Sequence, residues 1–179
     1  DAGVKPKYRH AANSAAILDF GRSHLDLVRP GIMIYGSYPD QSLAAKAALK
    51  PVLSLLSRIS HVKKVPGGYS VGYGRTYFTN GPTTIATIPA GYADGYPRLC
   101  SGRGSMLVHG RRFPIAGRVC MDQTMLDVGD EDVQVGDLVT LIGTDGGASI
   151  TVDEVAALSE TIAHEVLTGI TARVPRIYV

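Results

Sequence analysis

Tyr73 stands between two glycines in Val71-Gly72-Tyr73-Gly74-Arg75, on a backbone that neighbours do not crowd and that can approach another surface closely. A phenol has a reference pKa of about 10, so it serves as a general base near neutrality only where cations hold its anion. Arg75 lies two residues away. The same tyrosine would equally pack in a β-turn and show its hydroxyl to water, and spacing alone leaves both readings open. Tyr92, in Gly91-Tyr92-Ala93-Asp94-Gly95-Tyr96, poses the same choice, with Asp94 reading as a turn residue rather than an acid catalyst. Cys120-Met121-Asp122 is expected to close an apolar strand, either facing a cleft or ending in an ordinary turn. Upstream, the Gly31-Ile32 turn near a helix start at Ser14 would offer backbone amides to a phosphate, or simply be a turn that needs glycine. His10, His24, His61, His109 and His164 show no ligand spacing, and Cys100 and Cys120 form no CxxC. No metal site or disulfide framework is expected, and both cysteines read as reduced thiols.

These residues need elements to hold them. Residues 14–20 predict a short helix with Asn13 or Ser14 at its N-cap. Residues 25–36 read as a buried strand feeding a tight turn at Arg29-Pro30-Gly31. Helix and strand together make one unit of the kind that repeats in α/β barrels, and one unit cannot close a barrel. A domain boundary is placed near residue 45. From residue 49 to residue 142, short β-branched or apolar segments alternate with turn residues, among them RISHVKKV, TTIATIPA, SMLVHG, RFPIAGRVCM, TMLDVG and DLVTLIG, so the fold class is mainly β. One helix is expected next: Thr151 and Glu154 make a capping box, and Val152, Val155, Ala156, Ser159 and Ile162 share a face. The closing ARVPRIYV reads as a strand.

Composition bounds the function. The 179 residues allow one domain, or a small domain with part of another. With 45% hydrophobic and 19% charged residues, disorder and collagen-like repeats are excluded. Eighteen basic against 16 acidic side chains give a net charge of +2, which supplies no electrostatic reason to bind nucleic acid or an anionic membrane. Tryptophan is absent, and no basic stripe interleaved with aromatics appears. No apolar run approaches the ~20 residues of a membrane span, and the opening lacks the apolar core of a signal peptide. A cytoplasmic location and a small-molecule or protein partner are expected. Numbering begins at Asp1 without a methionine, and the first residues have neither helical nor alternating pattern, so the start reads as the middle of a longer chain.

Seven motifs, HAANSAA, LVRPGIMIYG, SVGYGRTY, TIPAGYADGYPR, GRVCMDQTMLDVG, DLVTLIG and RVPRIYV, in this order and spacing, resemble the C-terminal portion of bacterial alanine racemase. The resemblance spans nearly the whole chain. It implies that residues 1–45 are the C-terminal end of a (β/α)8 barrel that holds pyridoxal 5'-phosphate, and residues 46–179 the C-terminal β domain. It also implies a head-to-tail homodimer with shared active sites, alanine as substrate, and D-alanine made for peptidoglycan. The Schiff-base lysine would lie in an N-terminal barrel part absent from this sequence. Lys5, Lys7, Lys46, Lys50, Lys63 and Lys64 fall in none of the cofactor motifs, so the chain alone is expected to be inactive.

Roles carry over position by position. Tyr73 matches one of two catalytic acid/base groups, reaching into the partner's site. Arg29 matches the arginine that bonds the pyridine nitrogen of the cofactor, and Ser14, Gly31 and Ile32 match phosphate contacts. Met121 matches the residue whose backbone meets the substrate carboxylate, Tyr92 a tyrosine at the entrance, and Arg98 and Arg118 arginines of the access corridor. One position departs. Ile162-Ala163-His164-Glu165 places His164 where the family carries a phosphate-bonding tyrosine, which implies altered phosphate affinity or acceptance of serine. A serine-preferring racemase and a non-catalytic dimerisation or binding domain are the rival readings.

Overall fold

The computed structural model describes Gly3 and residues 5–179, and the chain divides into two units between Leu53 and Ser54.

In the first unit, helix α1 (Ser14–Asp19) begins where Asn13 Oδ1 accepts from the Ala16 amide at 3.1 Å, satisfying a donor the first turn leaves open. Residues 9–12 and 26–29 run side by side. Asp26 N donates to Arg9 O at 3.0 Å, Arg29 N to Ala12 O at 2.8 Å, and the Asp26 carboxylate takes both the Arg9 amide and its Nε. The strand expected over residues 25–36 does not form. Leu27 makes one isolated parallel bridge with His10, and Ile32–Tyr35 is a 3-10 turn capped by Gly36. An apolar run becomes a strand only where a ladder receives it, and a single bridge is all that Leu27 finds among the described residues. Farther on, the Tyr38 hydroxyl donates to Ala47 O at 2.8 Å and accepts from Leu49 N at 3.1 Å, fastening residues 47–49 back to residue 38 within this unit.

The second unit is antiparallel β, as the turn spacing predicts. Strands β1 (Leu55–Arg58), β2 (His61–Val65), β3 (Ser70–Val71), β4 (Tyr77–Phe78), β5 (Thr83–Ile88), β6 (Ser105–Val108), β7 (Arg111–Pro114), β8 (Thr124–Gly129), β9 (Leu138–Asp145) and β10 (Ala148–Ile150) follow in order. They form one sheet in the order β1-β9-β6-β7 with β10 on β9, a second in the order β2-β5-β8, and the hairpin β3-β4. RISHVKKV, which reads as one segment, is two strands. Ile59 N still bonds Asp137 O, whereas Ser60 N bonds Thr87 O, so the chain changes sheets between adjacent residues. Ile115 rejoins the sheets through a bridge to Leu126. The core gathers where they meet, in the buried Ile59, Ile88, Met106, Leu107, Ile115, Leu126 and Leu141. Strand β8 alternates buried and half-buried residues, the period of a strand with one covered face.

Two corrections concern the C-terminal segment. The expected helix over residues 151–162 is two helices, α2 (Val152–Leu158) and α3 (Ala163–Gly169). Glu160 adopts φ 58°, Thr161 N bonds Ala156 O and Glu160 N bonds Ala157 O, which is a Schellman stop with glutamate in the left-handed place usually held by glycine. Thr151 Oγ1 does accept from Glu154 N at 3.0 Å, but the Glu154 carboxylate pairs with Arg112 instead of turning back, so half of the capping box forms. The closing ARVPRIYV is not a strand. Arg176 donates to the carbonyls of Ile170, Thr171 and Val174, using local acceptors where a strand would need a neighbour.

The hairpin β3-β4 carries residues 72–76 at its tip, and its footing is polar. The Tyr77 hydroxyl donates to Asp127 Oδ2 at 2.6 Å, while Thr83 Oγ1 and Gly129 N also bond that carboxylate. Val71 and Tyr77 meanwhile pack with Val65, Ile85, Ala116 and Met125. Tyr77→Phe is expected to cost about 1.5 kcal/mol, the low end for a hydrogen bond to a charged group, because two donors remain on Asp127; the midpoint of urea unfolding reads it. Burial, and then the Asp127 carboxylate, push the Tyr77 hydroxyl up to about 12. Since an unfolded tyrosine titrates at about 10, this stabilisation is complete below pH ~10 and lost as pH rises through the folded value. The phenylalanine variant should lack that alkaline decline.

Candidate active site

Three segments of the second unit converge on a cavity of about 760 Å³, whose lining includes Tyr73, Tyr92, Arg98, Arg118, Cys120 and Met121. All six positions are among those the sequence offers, Cys120 as part of Cys120-Met121-Asp122. The Cys120 side chain hydrogen-bonds no described residue but Arg118, whose carbonyl its Sγ meets at 3.5 Å. Burial pushes its thiol up against the opposing influence of Arg98, so it stays protonated near neutrality and is a weak nucleophile.

The first segment is the turn at the hairpin tip. Gly72, Gly74 and Arg75 all have positive φ, at 75°, 72° and 49°, a backbone that glycine supplies cheaply and arginine does not. Tyr73 projects from this turn with 77% of its surface exposed. Arg75 does not serve as the cation beside it. Its Nε donates to Ser70 Oγ at 3.0 Å and its guanidinium lies over the Phe78 ring, so it braces the turn from below.

The second segment, residues 91–96, folds back on itself. The Asp94 carboxylate accepts from Gly91 N at 2.9 Å, and Asp94 N bonds Gly91 O, which makes Asp94 the turn residue its spacing predicts. Tyr92 is 41% exposed toward the cavity, whereas Tyr96 is 1% exposed, and burial pushes the Tyr96 hydroxyl well up.

The third segment, residues 117–123, was expected to be the end of a strand. It is a loop, because β7 ends at Pro114 and the chain pairs again only at Ile115. The Tyr92 and Ala93 amides each donate at 3.0 Å, to the carbonyls of Cys120 and Met121 respectively. A Cβ on Gly91 would fall 2.2 Å from Cys120 O, so no other residue allows this approach. With its carbonyl occupied, Met121 keeps an amide that donates to none of the described residues, and the residue is 52% exposed. Arg173 links the second and third segments, with Nη2 on Asp122 at 2.7 Å and Nε on Asp94 at 3.5 Å. Asp122 belongs to the Cys120-Met121-Asp122 group that the sequence offers as facing a cleft, whereas nothing in the sequence marks Arg173 as its partner. Residues 51 positions apart leave no local pattern.

His164 does not line this cavity. It sits exposed in the first turn of α3, beside Glu165 and Val166, which line a neighbouring cavity with Tyr92 and Arg98.

In the first unit, Ser14, Gly31 and Ile32 come together as the sequence suggests. Ser14 is 5% exposed, and its Oγ accepts from Gly31 N at 2.9 Å and Met33 N at 3.5 Å. Both acceptor places are thus filled by amides, which leaves the hydroxyl hydrogen to donate outward. Ile32 N donates to none of the described residues. Arg29 is held nearby in sequence by Nε on His10 Nδ1 at 3.0 Å and Nη2 on Ala11 O at 3.2 Å, which requires His10 to carry its proton on Nε2. His10 reads as one scattered histidine in sequence, and only the bridge to Leu27 brings it alongside Arg29. Ser14 and Ile32, both with donors to spare, fit a phosphate, and Arg29 fits a ring-nitrogen acceptor. Among the described residues there is no metal-holding cluster of His, Cys, Asp or Glu, and no helix long and apolar enough to cross a membrane.

The chain is similar to known proteins over nearly its whole length. Residues 52–178 match the family model "Alanine racemase, C-terminal domain", and residues 1–39 match "Alanine racemase, N-terminal domain". An alanine racemase of Carboxydothermus hydrogenoformans is 54% identical over 99% of this chain and 49% of its own length. One from Halothermothrix orenii is 52% identical over 95% of this chain and 45% of its own length. Solved alanine racemases from Streptomyces lavendulae and from Bacillus anthracis, the latter with bound L-Ala-P, match 99% of this chain with TM-scores of 0.93 and 0.94, at 42% and 44% identity. The chain covers 47% and 46% of those two structures, and it spans about half the length of the curated relatives it matches. On a domain match that takes in the whole cavity, and on relatives sharing about half of its residues, the chain belongs to the alanine racemase family.

Proposed function

We propose that this chain is the C-terminal part of a pyridoxal 5'-phosphate-dependent racemase that interconverts L- and D-alanine in the cytoplasm and supplies D-alanine for peptidoglycan. The observation that carries the reading is Tyr73, an exposed phenol on a braced turn over a cavity that also holds the unbonded Met121 amide and two guanidiniums.

A racemase needs a proton donor and acceptor on each face of the α-carbon. Tyr73 Oη serves one face, taking the α-proton as phenolate and returning it as phenol. A lysine in the N-terminal barrel part, outside this sequence, serves the other. When bound, pyridoxal 5'-phosphate supplies the electron sink that makes the α-hydrogen acidic enough to move. The Ser14 hydroxyl and the Gly31-Ile32 backbone hold the phosphate. Arg29 donates a hydrogen bond to the ring nitrogen without yielding its proton, since a guanidinium stays charged, and His10 orients it. Met121 N receives the substrate carboxylate, Arg98 and Arg118 line its approach, and Tyr92 narrows the entrance. The enzyme works as a head-to-tail homodimer in which Tyr73 completes the partner's site.

The test uses the enzyme comprising this chain and its lysine-bearing barrel. Tyr73→Phe should slow racemisation by about 10²- to 10⁴-fold, the usual contribution of a positioned acid/base group. Deuterium from solvent should still enter the enantiomer that the lysine serves. Racemisation at the wild-type rate would end the assignment of Tyr73. Borohydride reduction followed by intact mass should find the pyridoxyl adduct on the lysine-bearing part and none on residues 1–179.

His164 tunes the site in this reading, giving the phosphate a weaker neutral donor than a phenol, or a charge-assisted one when protonated. His164→Tyr should change cofactor affinity and the preference for alanine over serine. If the titrated cofactor affinity and the ratio of kcat/KM for the two amino acids both match the wild type, His164 has no such role.

A further inference from the structure

Tyr73 has no described hydrogen bond to fix its ring, so the direction of the phenol is set by the backbone of residues 72–75. Arg118 lies along that backbone at both glycines, with Met125 Cε beside it only at Gly72. Its amide nitrogen lies 3.4 Å from where a Cβ on Gly72 would stand, and its Nε and Nη2 lie 3.5 and 3.7 Å from where a Cβ on Gly74 would stand. The chain reaches this place through Gly117, at φ 84°, where a Cβ would fall 2.7 Å from Val71 O. Arg118 Nε is buried with no hydrogen-bond partner among the described residues, and no ion pair engages the guanidinium among them. A buried, unpaired guanidinium donor carries its full desolvation penalty, and a group held at that cost against one turn has a role there.

We propose that Arg118 is a positioning residue for Tyr73: the flat guanidinium packed under Gly74 sets the angle at which the phenol enters the cavity. This rests on the racemase reading for its catalytic consequence, but not for its structural one. A planar group is required for this packing, so lysine, a flexible point charge, does not replace it. The role differs from lining the corridor, which asks only for positive charge and acts on the arriving substrate.

Two measurements separate these roles. In the assembled enzyme, Arg118→Met and Arg118→Lys should each lower kcat by about 10- to 100-fold, the effect of a misplacement of about 1 Å, with the KM for alanine changed less than about twofold. A raised KM with kcat intact, or full rescue by lysine, would overturn the proposal in favour of a corridor charge. In residues 1–179 alone, NMR should show faster exchange of the Arg75 amide, which bonds Gly72 O at 3.3 Å, and shifted Tyr73 ring resonances in both variants. Unchanged exchange and unchanged resonances would overturn it equally. Should Arg118→Met fail to fold, Gly74→Ala, strained in itself at φ 72°, sets a methyl in van der Waals contact with the same guanidinium, and the part of its effect that depends on Arg118 is the readout. It should move the same resonances, and combining it with Arg118→Lys should add less than the sum of the two. If the wild-type enzyme does not racemise alanine, the functional reading falls while the NMR arm still decides what Arg118 does.

Discussion

Two backbone approaches closer than a side chain permits determine the shape of the cavity. Gly91 lies against Cys120 O and Gly117 against Val71 O, at separations where a Cβ would stand 2.2 and 2.7 Å from a carbonyl oxygen. Between them, residues 117–123 are pressed from both sides, by residues 91–93 and by the hairpin tip. Tyr92 N and Ala93 N then reach the carbonyls of Cys120 and Met121, so this loop gains the backbone hydrogen bonds that a strand would have given it. A loop held this way is as defined as a sheet, yet keeps selected groups free to meet a ligand.

Those free groups are concentrated. Most buried polar atoms in a folded chain find partners, and two groups at this cavity do not: Arg118 Nε is buried and unpaired, and the Met121 amide donates to no described residue. Polar groups without a structural partner are destabilising, and their gathering in one place is how function commonly appears against a background of local consistency. The contrast with Asp127 is instructive. That carboxylate takes Tyr77, Thr83 and Gly129 and is fully employed in anchoring the hairpin, so the same polar chemistry is structural a few residues away from Tyr73.

The two units differ in how far each supports its own elements. The second has two sheets joined at Ile59-Ser60 and at Ile115, with a core drawn from both. In the first, a helix, three 3-10 turns and one bridge among the described residues are held by the Arg9–Asp26 pair, the Arg29–His10 contact and the Tyr38 hydroxyl. Family membership offers the reason. Residues 1–39 match the family's N-terminal domain, and a strand forms only where a neighbouring strand takes its hydrogen bonds.

Sequence by itself determined the mainly β character of the second unit, a helix start at Asn13 or Ser14, the cap at Thr151 and the turn role of Asp94, because these follow from near neighbours: residue type, alternation and side-chain reach within three positions. The motifs also marked Tyr73, Tyr92, Arg98, Arg118 and Met121, and the structure brings all five to one cavity. Tertiary structure alone decided the rest. Whether residues 25–36 become a strand depends on a ladder partner, which no window of sequence contains. The break between α2 and α3 hides because Glu160 occupies a position where glycine would have announced it. Arg75 reads as the cation for Tyr73 two residues along, but side-chain direction on a left-handed turn follows the backbone, and it points to Ser70 and Phe78. The residues that do touch the turn, and those that tie the loops, come from 44 and 51 positions away, Arg118 to Gly74 and Arg173 to Asp122. Such pairs are set by the fold's closure, not by any spacing along the chain.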